Sequence, residues 1–207
     1  PAASGAYEKI TPEVQRTLQT ALETTFGPKL VPLPAHAWEY GLTYGVSIDG
    51  ALEVFSALKE NPAFAFNMLS NVTAVDWMDR REPRFDVVYQ LLSLTHLHRL
   101  CIKVQTTEEK PEVYSVRSLW QSANFMEREV WDMYGISFAG HGDLRRILMY
   151  DEFEGHPLRK DYPLRGKQPR VTLRIPELRN TSGDMSRDEL VSLPTRAGST
   201  RGSALNG

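Results

Sequence analysis

Within seven consecutive residues, His156 to Tyr162, the sequence places a histidine, an arginine, a lysine, an aspartate and a tyrosine. The stretch EGHPLRKDYPL over 154–164 thus holds side chains able to donate, accept and relay protons. Acid–base chemistry requires such groups to converge on one reacting atom. Here His156 precedes Pro157 and Tyr162 precedes Pro163, and the residue before a proline is driven towards extended backbone. Two missing amide hydrogens also deny ladder hydrogen bonds. The segment is therefore expected to be an extended strap, its side chains alternating outward. Arg159, Lys160, Asp161 and Tyr162 would then anchor it to a neighbouring surface, the planar guanidinium more firmly than the lysine.

The next densest charge is in EREVWDMYG, from Glu127 to Gly135. Paired carboxylates can share acid–base work, but Glu127 and Glu129 are two apart on a helix and point about 200° away from each other. Arg128 and Asp132 are four apart and can pair instead. The charges then form a bracing network.

Other chemistries find less support. His96 and His98 would lie on one side of a strand, but no third ligand follows at useful spacing, and no HExxH helix is present. Neither glycine-rich phosphate loop occurs, nor does a G-x-S-x-G elbow. The single cysteine, Cys101, lies in the apolar run RLCIKV and reads as a buried thiol, in keeping with a reducing compartment.

These residues must be positioned by a core, and a 41% hydrophobic composition over 207 residues supplies one. The net charge of −2 does not suggest a nucleic-acid or membrane-surface binder. No apolar run reaches the roughly 18 residues of a membrane helix, no signal peptide is evident, and any membrane link is expected through a partner. The opening at Pro1 fits removal of an initiator methionine.

TPEVQRTLQTALETTFG reads as a helix capped by Thr11 and stopped at Gly27, with Val14, Leu18, Ala21 and Leu22 on one face. DGALEVFSALKENP reads as a second helix, with the strand GLTYGVSI before it. AFNMLSNVTAVDW is strand-like, and RFDVVYQLLSL with HRLCIKVQTT suggests an antiparallel hairpin. EVYSVRSLW adds a short strand before a third helix, capped by Ser122 and ended by Gly135, with Ala123, Met126, Val130 and Tyr134 on one face. The expected fold class is α+β: helices packed on a mixed, mostly antiparallel sheet over residues 1–164, followed by an extended tail over 165–207. That tail has no aromatic residue, and its eight basic and four acidic residues make it +4 against −6 for the remainder. It is expected to be disordered or ordered by partner chains.

At this point the residues carry a resemblance. SANFMEREVWDMYGISFAGHGDLRRIL, followed by EGHPLRKDYPL, resembles the 30-kilodalton subunit family of respiratory complex I, which includes the equivalent subunits of the bacterial NADH-quinone oxidoreductases. The family signature runs through Glu127, Arg128, Glu129, Asp132, Met133 and Tyr134 to His141, Arg145, Ile147 and Leu148, and every position matches. Strong similarity covers Val113 to Leu164, and a weaker one reaches back to about Pro62.

The resemblance implies a non-catalytic subunit of the peripheral arm, with no catalytic, cofactor-binding or metal-binding residue of its own. FMN, iron-sulfur clusters and quinone would belong to partner subunits, chief among them the 49-kilodalton quinone-site subunit. The assembly would pass electrons from NADH to a quinone, coupled to ion translocation. It would sit on the cytoplasmic side of the bacterial inner membrane, or the matrix side in mitochondria. Residues expected at subunit interfaces are the signature residues Glu127, Arg128, Glu129, Asp132, Tyr134, Gly135, His141 and Arg145. The strap adds His156, Pro157, Arg159, Lys160, Asp161, Tyr162 and Pro163. Related subunits also serve membrane-bound hydrogenases and deazaflavin- or ferredoxin-dependent oxidoreductases. Two other classes, an RNA-binding module and a free-standing hydrolase, find less support. The tail lacks aromatic residues for base stacking, and the chain lacks a nucleophile–base arrangement.

Overall fold

The structure, a computed structural model, describes residues 12–33, 42–165 and 168. All of them belong to one compact unit. Thr11, the expected first cap, and the tail beyond Arg165 apart from Gln168 lie outside the described residues.

Three helices, α1 (Pro12–Phe26), α2 (Ile48–Glu60) and α3 (Ala123–Tyr134), accompany a five-stranded sheet. Its strands are β1 (Val31–Pro32), β2 (Leu42–Val46), β3 (Met68–Asp76), β4 (Phe85–Leu92) and β5 (Arg99–Thr106), in the order β1-β2-β5-β4-β3. Only β2 and β5 run parallel, so the sheet is mixed and mostly antiparallel, as expected. β6 (Glu112–Tyr114) and β7 (Ser137–Ala139) form a separate parallel pair flanking α3.

Period-two alternation creates the core. Phe85, Val87, Tyr89 and Leu91 of β4 face the same side as Leu100, Ile102 and Val104 of β5, and all are buried. Register aligns Tyr89 with Ile102 and Val87 with Val104, giving the cross-strand pairs that stabilise a sheet. α2 lays Val54, Phe55 and Leu58 on this face, where the Phe55 ring meets Tyr89 at 4.7 Å and Trp120 edge-on at 6.1 Å. β3 breaks strict alternation. A register shift between Leu69 and Asn71 brings Leu69 and Val72, three apart, to the same buried side.

Ser122 departs from expectation. It sits in helical conformation and makes no capping bond, and its hydroxyl donates instead to Leu69 O. The preceding chain already turns, so Ala123 and Asn124 N–H are satisfied by Trp120 and Gln121 carbonyls and need no side-chain cap. The far end follows the sequence reading: Gly135 takes the left-handed conformation at φ +73° and bonds back to Trp131 O.

Candidate functional site

α3 is amphipathic in an unusual way, because it buries charged residues as well as apolar ones. Glu127, Arg128 and Asp132 join Ala123, Val130 and Met133 on the covered side, while Glu129 faces solvent. A buried charge must be met by hydrogen bonds or its desolvation is uncompensated, so each defines a contact.

Asp132 is fully buried and holds a loop. Its Oδ2 accepts hydrogen bonds from the amides of Ile147, Leu148 and Met149 at 3.1, 2.9 and 2.9 Å. Its Oδ1 accepts from Arg146 Nη1 at 2.6 Å. Burial alone would raise this carboxyl, but the three amides and the guanidinium outweigh it and hold it below the usual carboxylate range. Arg146 also reaches the Phe153 carbonyl at 2.7 Å and packs near the faces of Trp131 and Phe153.

Arg128 grips the same loop from the other polarity, donating to the carbonyls of Arg145 and Arg146 at 3.1 and 3.0 Å. The pair that the spacing of Arg128 and Asp132 allows gives way to contacts with the loop. Each residue binds the loop backbone, where a fixed set of donors or acceptors satisfies more of its capacity than a single helical neighbour could. Arg145 itself is exposed and pairs with Asp143 at 3.1 Å.

Glu127 secures the other side. Its carboxylate accepts from Ser115 Oγ at 2.6 Å and from Val116 N–H at 2.8 Å, tying α3 to the turn after β6. Complete burial pushes it up to about 7, against the pull of Ser115, Val116 and Arg117. His141 Nε2 lies 3.9 Å away. That ring accepts from Asp143 N–H through Nδ1, so Nε2 carries the hydrogen and donates to Asn124 O at 3.1 Å.

The strap over 154–164 is not extended. Arg159 N–H bonds to His156 O and Tyr162 N–H to Arg159 O, so successive turns fold it onto α3 and the sheet. His156 Nδ1 donates to Asp132 O at 3.0 Å, Leu158 N–H to Met133 O at 3.0 Å, and Arg159 Nε to Tyr134 O at 2.5 Å. These are the terminal carbonyls of α3, which have no partner within the helix. His156 packs so close that a Cβ on Gly135 would lie 2.5 Å from its ring. Burial is the main reason that this imidazole titrates lower than usual.

Arg84 latches the strap's far end. Only 2% exposed, it binds Asp76 at 2.8 Å, Glu108 at 2.5 Å and Asp161 at 3.2 Å. Lys160 N–H donates to Asp76 Oδ2 at 2.9 Å, although Lys160 is an exposed residue. Burial would raise the Asp76 carboxyl, but Arg84 and the amides of Lys160 and Met78 bring it down to about 2. Tyr162 stacks on Phe153 at 6.0 Å and its hydroxyl meets Gln168. Pro157 is half-buried and Pro163 exposed.

His96 and His98 stack at 5.6 Å at the β4–β5 turn. No group of three or more potential metal-ligating residues occurs among the described residues.

A family profile described as the 30 Kd subunit of the respiratory-chain NADH dehydrogenase matches residues 45–168. The chain belongs to this family. It is 41% identical over 161 residues to the equivalent NADH-quinone oxidoreductase subunit of Roseiflexus castenholzii, covering 78% of this chain and 88% of that protein. It is 48% identical over 131 residues to the equivalent subunit of Roseiflexus sp. strain RS-1, covering 63% and 75%. A solved trypsin-resistant fragment of Nqo5 superposes with a TM-score of 0.54 at 33% identity, covering 61% of this chain and 98% of that one.

In these terms the 30-kilodalton signature divides in two. Its charged members Glu127, Arg128 and Asp132, together with His141, are turned inward, whereas Glu129, Arg145 and the Ile147–Leu148 pair are turned out. Arg84, Asp76, Ser115 and Arg146 belong to the same framework; Arg146 lies within the signature stretch beside Arg145, but its partner is not readable from that position. Asp76 and Arg84 lie 84 and 77 residues from their contacts at Lys160 and Asp161, a separation without local signal.

Proposed function

We propose that this chain is the 30-kilodalton-type, non-redox component of an NADH:quinone oxidoreductase, and that its signature segment is a rigid frame for docking neighbouring subunits. The observation that carries this reading is how the signature spends its charge. Glu127, Arg128 and Asp132 direct their hydrogen bonds to backbone and side chains of their own chain. A catalytic acid or base must reach a substrate proton, whereas Glu127 and Asp132 are fully buried. Groups committed in this way fix loop geometry.

The resemblance supports the 49-kilodalton quinone-site subunit as the principal neighbour, with FMN, clusters and quinone carried by other chains. Among the described residues no helix is long and apolar enough to cross a membrane. Attachment through partners on the cytoplasmic or matrix face is the arrangement we favour. The whole assembly, in this reading, oxidises NADH, reduces a quinone and translocates ions.

The test is affinity purification of the tagged full chain from detergent-solubilised membranes. The expected result is co-purification of flavin- and cluster-bearing subunits with NADH-driven quinone reduction. Recovery with hydrogenase subunits would assign the chain to the related class, and recovery alone, without redox partners, would refute the proposal.

A further inference from the structure

The loop that Asp132 and Arg128 hold is fixed on both backbone polarities: amides of 147–149 on a carboxylate, carbonyls of 145 and 146 on a guanidinium. Such fixation sets the direction of the side chains between those contacts. They are apolar and point outward, with Ile147 37% and Leu148 56% exposed. The exposed part of this pair, the larger share for Leu148, gains nothing for the chain's own core. It does lower the ordering cost of binding, because the backbone that carries these side chains is already fixed.

Charge selects the occupant. Arg145 and Arg146, which directly precede the pair, are ion-paired with Asp143 and Asp132, while residues 147–154 carry three carboxylates, Asp151, Glu152 and Glu154, all on exposed residues. A second copy of this chain, meeting it across a two-fold axis, would set one acidic cluster against the other. An anionic lipid surface would be repelled in the same way. We infer that the Ile147–Leu148 pair is a preformed docking knob for a partner protein that offers an apolar pocket with basic side chains along its rim. This rests on the subunit reading above and assigns the face through which the subunit binds.

The experiment uses the tagged full chain expressed with its oxidoreductase and recovered from solubilised membranes, with redox subunits quantified by mass spectrometry. Leu148→Glu is expected to lower their recovery at least tenfold while the melting temperature of the chain and the exchange protection of the 147–149 amides stay unchanged. The double change Asp151→Lys with Glu154→Lys is expected to lower recovery several-fold, and wild-type recovery should fall with rising salt. If Leu148→Glu itself lowers the melting temperature, Leu148→Ala, which only trims an exposed side chain, gives the same readout.

Undiminished recovery with a folded Leu148 variant would overturn the docking assignment. Unchanged or increased recovery in the lysine pair would overturn the basic rim. Wild-type self-association that Leu148→Glu abolishes would identify a second copy as the occupant, against the proposal. Failure of wild-type chain to recover any redox subunit would instead strike at the subunit reading itself, so the two failures are distinguishable.

Discussion

Asp132→Asn tests the frame at its centre. The wild-type carboxylate accepts four hydrogen bonds, three from loop amides and one from Arg146. Hydrogen bonds to a charged group contribute about 1.5–3 kcal/mol each, and the amides on this exposed loop recover part of that from water when released. The asparagine keeps the shape but loses the charge, and its NH2 group cannot accept from an amide or a guanidinium. A net loss of about 2–4 kcal/mol is expected, most of it local. Amide exchange at 147–149 should then quicken by roughly 30- to 1,000-fold, since about 1.4 kcal/mol is a factor of ten. The global urea midpoint should move less than this local measure. The pH dependence has a definite sign. Because the folded carboxyl titrates below its unfolded value, its stabilisation is present above the unfolded range and is lost as pH falls through the folded value. Protection at 147–149 that is unchanged in Asp132→Asn, or absent in wild type, would refute the claim that this side chain holds the loop.

Glu127 should behave oppositely with pH: its folded value of about 7 exceeds the unfolded one, so its contribution is full at low pH and is lost as pH rises towards about 7. Glu127→Gln keeps the Ser115 and Val116 contacts and should flatten the urea-stability profile between about pH 5 and 8, with a gain at the alkaline end of no more than roughly 3 kcal/mol. Arg84→Met strands the buried Asp76 carboxylate, and breaking such a pair should cost about 3–5 kcal/mol and expose the strap to limited proteolysis near Lys160. Gly135→Ala combines a left-handed backbone with a Cβ 2.5 Å from the His156 ring, so it should lower the melting temperature and undock the strap, visible as faster exchange at Leu158. If that variant melts like wild type, His156 is not seated against α3.

The legible features of this fold are those set by nearest neighbours along the chain. The apolar run RFDVVYQLLSL marks β4 because a strand covered on both faces reads as a nearly continuous apolar stretch. Gly135 marks the end of α3 because a left-handed residue favours glycine. The same local rule explains why the strap folds differently from its sequence-based expectation. Pre-proline restriction constrains His156 and Tyr162 alone, and the residues between them are free to turn once unsatisfied helix carbonyls offer them partners. The bulge in β3 is hidden for a related reason, since a register slip is decided by the facing strand.

The signature also reverses the usual reading of polarity, and this is why its chemistry is easy to mistake. Charged residues in a cluster suggest a reacting centre, and apolar ones suggest core. Around α3 the buried members include Glu127, Arg128 and Asp132, while Ile147 and Leu148 are exposed. The inversion follows from what each group can do at that place. A backbone loop offers only N–H and C=O groups, so a side chain that fixes it from inside the protein must be an acceptor or a donor, and an ionised one binds most strongly. With the backbone held this way, the loop's own side chains Ile147 and Leu148 are directed outward. Spacing in the sequence shows that Arg128 and Asp132 share a helical face. It does not show that the two meet, because the choice between pairing with each other and gripping a loop 15 to 18 residues downstream is made by the fold.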